Sequence, residues 1–160
     1  MREVIVSGGH DELVTPEQIE HARSLDRAWT ATEIARAQAE LAYAEVERWR
    51  RGDDVAPFRA YVELMKKHAW NETSLLDVGM GCGYYALVLV ARGGAGMYFG
   101  LDFSDEMVRI ARERVQGPAA TFQVCDARAL PFGDEAFPVV VSGSCIESIA
   151  TPFGWQKALR

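Results

Sequence analysis

The fold is decided by the stretch Leu75-Leu76-Asp77-Val78-Gly79-Met80-Gly81-Cys82-Gly83-Tyr84-Tyr85. A short apolar run precedes three glycines at alternate positions, and a second apolar run follows them. This order predicts a buried strand, a sharp turn and the start of a helix. Glycine adopts backbone angles that a β-carbon would forbid, and it lets a ligand approach the backbone closely. The helix start that follows offers free N–H groups and a positive dipole end to such a ligand.

The glycine spacing separates several kinds of site. The dinucleotide fingerprint Gly-x-Gly-x-x-Gly requires a glycine where this chain has Tyr84, which disfavours a nicotinamide-dependent oxidoreductase. A P-loop requires Lys followed by Ser or Thr after the last glycine, and neither is present. A tight turn without any ligand stays open as the alternative.

From Ser74 onward, short apolar runs alternate with amphipathic segments. The predicted strands are Leu75–Val78, Met97–Leu101, Thr121–Val124 and Val139–Val141. The predicted helices between them are Tyr84–Arg92 and Glu106–Val115. This alternation predicts an α/β, Rossmann-like fold with a doubly wound, mostly parallel sheet of about four strands and helices on both faces.

The sequence before residue 73 predicts helices only. A capping pattern at Thr15-Pro16-Glu17-Gln18 marks one helix start. Residues 30–51 are rich in helix-forming residues, and the positions at helical spacing are Ile34, Leu41, Ala42, Glu45 and Trp49. A further helix is predicted for Pro57–Ala69, with one face formed by Phe58, Tyr61, Val62 and Met65. We therefore divide the chain into a helical N-terminal extension or lid, residues 1–72, and an α/β domain, residues 73–160.

Composition disfavours several classes of partner. The 160 residues carry a net charge of −6, so the basic footprint of a nucleic-acid-binding protein is missing. The longest apolar run, Tyr84–Ala91, is too short to span a membrane, and the N-terminus lacks the apolar core of a signal peptide. The three cysteines are far apart and show no metal-ligand spacing, which indicates reduced thiols and a cytoplasmic location.

Three further motifs follow the glycine loop. They are Gly100-Leu101-Asp102-Phe103-Ser104-Asp105-Glu106-Met107, Cys125-Asp126-Ala127-Arg128-Ala129-Leu130-Pro131-Phe132 and Phe137-Pro138-Val139-Val140-Val141-Ser142-Gly143-Ser144. In this order, residues 74–150 resemble the class I S-adenosylmethionine-dependent methyltransferases, particularly the small-molecule ubiquinone and menaquinone C-methyltransferases. The resemblance implies methyl transfer from S-adenosylmethionine to a small-molecule acceptor. Because that family has seven strands, the chain is expected to be truncated after its fourth strand.

The resemblance also implies which residues bind the cofactor. The loop wraps its methionine part, and Asp77 helps to hold the amino group through a charge-assisted contact, often by way of a water molecule. Asp102 accepts hydrogen bonds from the ribose diol, and a helix cap stays open as its alternative role, although Ser104 suits that role better. The other loop residues expected to contact the cofactor are Gly79, Met80, Gly81 and Gly83.

The adenine part of the cofactor is expected beside the second and third strands. The resemblance places Phe103 and Met107 around the ring, with core packing as their alternative. It also implies contacts from Asp126 and Ala127 to the ring. Ser142 lies at the carboxyl end of the fourth strand, beside the glycine loop, where the methionine end and the acceptor meet. Pro138 replaces an Asp that is usual in the family, which affects the start of the strand rather than the site.

No catalytic residue can be named from the sequence. A general base is needed only if the acceptor must lose a proton, and the three histidines, His10, His21 and His68, all lie in the N-terminal part. Glu147 is an alternative acid or base, although a solvated position explains it as well. The competing hypothesis for the whole chain is an inactive module that binds cofactor or a protein partner without catalysis.

Two sets of side chains have both a structural and a functional interpretation. The aromatic residues of the N-terminal helices, namely Tyr43, Trp49, Phe58 and Tyr61, form either core or the wall of a pocket. The cysteines Cys82, Cys125 and Cys145 each follow a different strand, so they either pack in the sheet or converge to bind a soft metalloid substrate. The fourth strand is expected at an exposed sheet edge, which invites a homodimer.

Overall fold

The computed structural model describes residues 20, 24, 27, 30–68, 73–90, 96–116, 119–143 and 145. The elements in chain order are α1 (Thr32–Arg50), α2 (Ala56–Lys67), β1 (Ser74–Val78), α3 (Tyr84–Val90), β2 (Met97–Asp102), α4 (Asp105–Arg114), β3 (Ala120–Val124) and β4 (Val139–Val141). The strands and helices predicted from residue 30 onward are therefore confirmed, with closely similar bounds. The helix start predicted at Thr15 lies outside the described residues.

The four strands form one sheet in the order β3-β2-β1-β4, and every neighbouring pair is parallel. The chain leaves β1 toward β2 and β3, and then returns to the opposite side of β1 to form β4. The order thus reverses between β1 and β4, and the carboxyl ends of all strands lie at one edge of the sheet. In sheets of this kind a ligand binds at such a reversal point. The α/β, Rossmann-like fold class is confirmed.

The two faces of the sheet are covered differently. Leu75 belongs to the main core, together with the buried side chains of α2, α3 and α4. On the opposite face, Leu76, Val78 and Leu101 pack against residues of the β3–β4 connection, among them Leu130, Phe132 and Phe137. Helices were predicted on both faces, but within the described residues they cover only the first face, and the β3–β4 connection covers the second as a loop.

Helix α1 buries a different stripe from the one its large apolar residues suggest. Its buried residues are Ala35, Ala39 and Val46, whereas Leu41 is 72% exposed. Ala35 and Ala39 pack with Met107 and Ile110 of α4, and their small side chains allow the two helices to approach closely. The predicted face of α2 is confirmed, because Phe58, Val62 and Met65 are all buried.

Polar contacts also join α1 to the α/β part. Arg36 Nε donates to Glu106 Oε1 of α4 at 2.9 Å, and Arg109 binds the same carboxylate. The Arg109 and Arg36 guanidinium groups together lower the pKa of Glu106 to about 2. Among the described residues, no helix combines the length and the apolar character needed to cross a membrane.

Candidate functional site

The glycine loop is held at the carboxyl end of the sheet by backbone hydrogen bonds. The N–H groups of Gly79 and Met80 both donate to the Leu101 carbonyl oxygen, at 2.8 and 2.9 Å. These bonds tie the end of β1 to the end of β2. Gly79 and Gly81 have φ angles of 75° and 59°, a region that residues with a β-carbon adopt only with strain.

The space around the loop glycines differs from one position to the next. A β-carbon on Gly79 would overlap the side chain of Cys145, and one on Gly83 would lie 3.1 Å from the Cβ atom of Ala111. A β-carbon on Gly81 would meet no atom within 4 Å. The loop therefore packs tightly against protein at its two ends and is open at its middle glycine.

Asp102 joins this loop to the start of α4. Its Oδ2 atom accepts a hydrogen bond from the Gly81 N–H, and its Oδ1 atom accepts one from the Ser104 N–H, both at 2.9 Å. Burial raises the pKa of Asp102, and these backbone hydrogen bonds act in the opposite direction. The helix is capped by Ser104, whose hydroxyl accepts from the Met107 N–H. The carboxylate thus keeps lone pairs for a ligand beside the open Gly81.

Asp77 lies deeper, at the end of β1, and is only 1% exposed. Its Oδ2 atom accepts a short hydrogen bond from the hydroxyl of Tyr98, a neighbour on β2. Burial raises the pKa of Asp77 to about 7, against the lowering effect of the Tyr98 hydrogen bond, and the nearby Asp102 raises it further. The site therefore holds two desolvated carboxylates, and neither has a Lys or Arg partner among the residues that the structure describes.

Three other predicted contacts have distinct positions. Met80 is buried, with its sulfur packed over Gly100, so only its backbone belongs to the loop surface. Met107 is also buried, in a cluster with Cys82 and residues of α1 and α4. Phe103 is 40% exposed at the end of β2. Core packing therefore describes Met107, whereas the contact between the exposed ring of Phe103 and adenine stays a prediction.

The motif at residues 125–132 contains a surface ion pair. Arg128 binds both carboxylate oxygens of Asp126, with Nε at 2.8 Å from Oδ1 and 2.9 Å from Oδ2, and its backbone N–H donates to Oδ1 at 2.9 Å. Arg128 lowers the pKa of Asp126. Ala127 packs against the second face of the sheet. An adenine amino group at Asp126 would share this carboxylate with Arg128.

Ser142 follows β4 directly, across the reversal point from the glycine loop. Its hydroxyl is buried and has no hydrogen-bond partner within the described part of the chain. The next residue, Gly143, would bring a β-carbon to 3.0 Å from the ring of Tyr85. Ser142 therefore presents an unpaired polar atom at the edge of the sheet where β1 and β4 separate.

The alternative roles of the aromatic residues and cysteines can now be compared. Phe58 is buried, and its ring centroid lies 6.1 Å from that of Trp49, in the main core. Cys82 and Cys125 belong to separate clusters on opposite faces of the sheet. Burial raises the pKa of the Cys82 thiol to about 11, so it stays protonated. The described residues contain no metal-binding group of His, Cys, Asp and Glu, and packing explains both sets.

Of the proposed acids and bases, only His68 lies within the described residues, where it ends α2. Sequence reasoning missed two polar residues of the site: Tyr98, which binds Asp77, and Arg128, which binds Asp126. It named Tyr43 as core or pocket wall, but not the hydrogen bond from its hydroxyl to the Cys82 carbonyl at 2.6 Å. Arg128 could have been found from its place two residues after Asp126. The other two contacts depend on chain segments far apart in sequence.

Comparison with known proteins identifies methyltransferases as relatives of this chain. A demethylmenaquinone methyltransferase of Roseiflexus castenholzii is 34% identical over 74 residues, which cover 46% of this chain and 31% of that protein. One of Thermus thermophilus is 36% identical over 121 residues, covering 74% and 49%. This chain thus spans about a third to a half of the length of these curated relatives.

A solved structure and a family model agree with these relatives. The plantazolicin methyltransferase BpumL, in complex with a pentazolic desmethylPZN analog and SAH, aligns with a TM-score of 0.58 at 18% identity, covering 89% of this chain and 54% of that one. That likeness shows the fold. Residues 75–160 match the family described as the methyltransferase domain. Because this match covers more than half of the chain, the protein belongs to the class I S-adenosylmethionine-dependent methyltransferases.

Proposed function

We propose that this chain binds S-adenosylmethionine at the carboxyl ends of β1, β2 and β4 and transfers its methyl group to a small-molecule acceptor. The observation that carries the proposal is the Asp102 carboxylate. Two backbone N–H groups hold it at 2.9 Å directly beside Gly81, the one loop glycine with open space above it within the described chain. A ribose diol is the part of the cofactor that such an acceptor suits.

The remaining residues fit the other parts of the cofactor. S-adenosylmethionine carries positive charge on its amino group and its sulfonium, and in the described part of the chain no Lys or Arg pairs with the carboxylates Asp77 and Asp102. A cationic ligand offsets the cost of burying them. The unpaired Ser142 hydroxyl and the free surface of Gly81 supply a polar contact and room.

The chemistry supplied by the bound cofactor is an activated methyl group, displaced in line by a nucleophile of the acceptor. The protein's own contribution is alignment and exclusion of water. Two hydrogen bonds hold the glycine loop to Leu101, so the loop provides a fixed surface against which the cofactor is aligned. We further propose that residues 1–72 form the lid over residues 73–160, since Tyr43 of α1 already contacts the loop at Cys82.

Binding of S-adenosylhomocysteine tests the proposal directly. We expect isothermal titration calorimetry to detect binding to the wild-type chain. The Asp102→Ala substitution is expected to weaken it roughly 100-fold or more, since each hydrogen bond to a charged acceptor contributes about 1.5–3 kcal/mol. Asp134→Ala is the matched control, because Asp134 is exposed on the β3–β4 connection. Absence of binding by the wild-type chain would contradict the proposal.

Catalysis needs a separate measurement. The Roseiflexus and Thermus relatives are named as demethylmenaquinone methyltransferases, so demethylmenaquinone is the first acceptor to try. Transfer of a labelled methyl group to it would support the enzymatic function. No observation favours the competing hypothesis of an inactive module.

Two finer proposals concern assembly and location. We propose that the cytoplasm is where the chain acts, in accord with its free thiols.

We also propose a homodimer through β4, which is an edge strand of the described sheet and carries the 56% exposed Val140. The Val140→Lys variant is then expected to sediment as a monomer where the wild type sediments as a dimer in analytical ultracentrifugation. A monomeric wild type would exclude the dimer.

A further inference from the structure

The hydrogen bond between Tyr98 and Asp77 is a feature that the glycine-loop pattern does not require. Tyr98 stands on β2 and Asp77 on β1, and both side chains are almost fully buried. The Tyr98 hydroxyl donates to Oδ2 of Asp77. Among the described residues no second donor binds this carboxylate, so its Oδ1 atom can accept a hydrogen bond from a ligand.

The geometry of the sheet explains how the two groups meet. Asp77 pairs in register with Gly100, and Tyr98 pairs with Leu75, so all four lie on one face. Because Gly100 has no side chain, the Met80 sulfur and the edge of the Tyr98 ring both fit there, 2.2 and 3.0 Å from where a β-carbon on Gly100 would lie. The Tyr98 hydroxyl therefore lies near the end of β1, where it contacts Asp77.

We propose that Tyr98 is a positioning residue for the cofactor: its hydroxyl holds one oxygen of Asp77 and leaves the other for the amino group of the ligand. This inference rests on the proposed function. A carboxylate that accepts from an ammonium group must be ionised and correctly oriented. Tyr98 meets both needs, because a hydrogen bond to the charged form both favours that form and restricts its rotation.

The charge state of Asp77 depends on several neighbours. The titratable groups that face Asp77 are Tyr98 and Asp102 from β2, Tyr61 from α2, and Tyr84 and Tyr85 from α3; of these, only Tyr98 and Asp102 shift the pKa of Asp77, whereas Asp77 raises the pKa values of the four tyrosines. Burial holds the pKa of Tyr98 well above its usual value, so its hydroxyl stays a neutral donor throughout. Of these groups, Tyr98 alone is described as hydrogen-bonded to Asp77, and this bond lowers the pKa of the carboxyl.

The Tyr98→Phe variant tests the inference, because it removes the hydroxyl and keeps the buried ring. We expect the pH at which S-adenosylhomocysteine binding is half-maximal to rise by about one to two units. At pH 7 the affinity is expected to fall roughly tenfold or more, and to recover at higher pH. Tyr61→Phe is the matched control, since it removes a buried hydroxyl of the core that makes no hydrogen bond in the described chain. It should leave the half-maximal pH unchanged.

A ligand-free readout keeps this inference distinct from the proposed function. Carboxyl-carbon NMR of the unliganded chain should show the titration of Asp77 moved to higher pH in Tyr98→Phe and not in Tyr61→Phe. An unchanged Asp77 titration, or an unchanged half-maximal pH of binding, would overturn the positioning role. If the titration moves but the wild type fails to bind S-adenosylhomocysteine, the proposed function is wrong and the ligand role of the pair falls with it.

Discussion

Replacing Asp77 by asparagine is expected to stabilise the fold at pH 8 while weakening cofactor binding. Burial raises the pKa of this carboxyl from 3.8 to about 7. The charged form is therefore disfavoured in the folded chain, at a cost of about 4 kcal/mol above pH 7. The asparagine amide avoids this charge but leaves a buried N–H group unpaired, which costs about 1–2 kcal/mol. The net gain is about 2–3 kcal/mol.

The sign of the pH dependence follows from proton binding. Between pH 3.8 and about 7, the folded chain binds more protons at Asp77 than the unfolded chain, so the contribution of this residue to stability falls as pH rises. The advantage of Asp77→Asn should thus shrink toward zero at pH 5. Urea denaturation of both proteins at pH 5 and pH 8 measures this difference.

A function for the destabilising carboxylate explains its presence. Asp77→Asn removes the partner of the ligand's amino group, so affinity for S-adenosylhomocysteine should fall roughly tenfold to hundredfold. The exposed Asp134→Asn serves as a control for both measurements. A variant that is less stable than the wild type at pH 8, or that binds equally well, would be incompatible with this account.

Replacing Gly79 by alanine is expected to destabilise the fold by about 2–5 kcal/mol. The left-handed backbone at this position costs a residue with a β-carbon about 1–2 kcal/mol. The new methyl group would also overlap the side chain of Cys145, and overpacking of this kind costs about 1–3 kcal/mol. The free energy of unfolding in urea provides the measurement.

Gly81→Ala is the matched comparison, because its φ angle is also positive but a β-carbon there meets nothing within 4 Å. Its cost to stability should be limited to the backbone strain, about 1–2 kcal/mol. Its effect on S-adenosylhomocysteine binding should be the larger one, since the methyl group occupies the open surface of the loop. Equal loss of stability in the two variants would show that the Cys145 side chain moves aside for the new methyl group, and it would contradict the overpacking predicted at Gly79.

The sequence predicted most of the fold from local patterns. Apolar runs, glycine breaks and helix-forming segments identified each described strand and the helices from residue 30 onward. The helical spacing identified α1 but not its most buried positions, since Leu41 is exposed and the small residues Ala35 and Ala39 are buried. Side-chain size is a poor guide there, since close helix packing against α4 favours alanine over leucine.

The candidate site was predicted to a similar extent. The glycine loop and Asp102 meet as their spacing indicates, joined by the Gly81 N–H. Met107 was identified from the same motif, but it points into the core because it lies on the buried side of α4. The ion pair between Arg128 and Asp126 could not be predicted either, because the sequence shows an arginine nearby but not the direction of its side chain.

Local sequence patterns were enough to predict the order of strands and helices, the position of the sharp turn and the acidic residues that follow it. These properties depend on neighbours along the chain, through backbone freedom at glycine and the periodicity of apolar residues. The contact between Tyr98 and Asp77, in contrast, could be found only in the folded chain. That contact depends on the register of β1 against β2 and on the space above Gly100, and both arise when distant segments pack together.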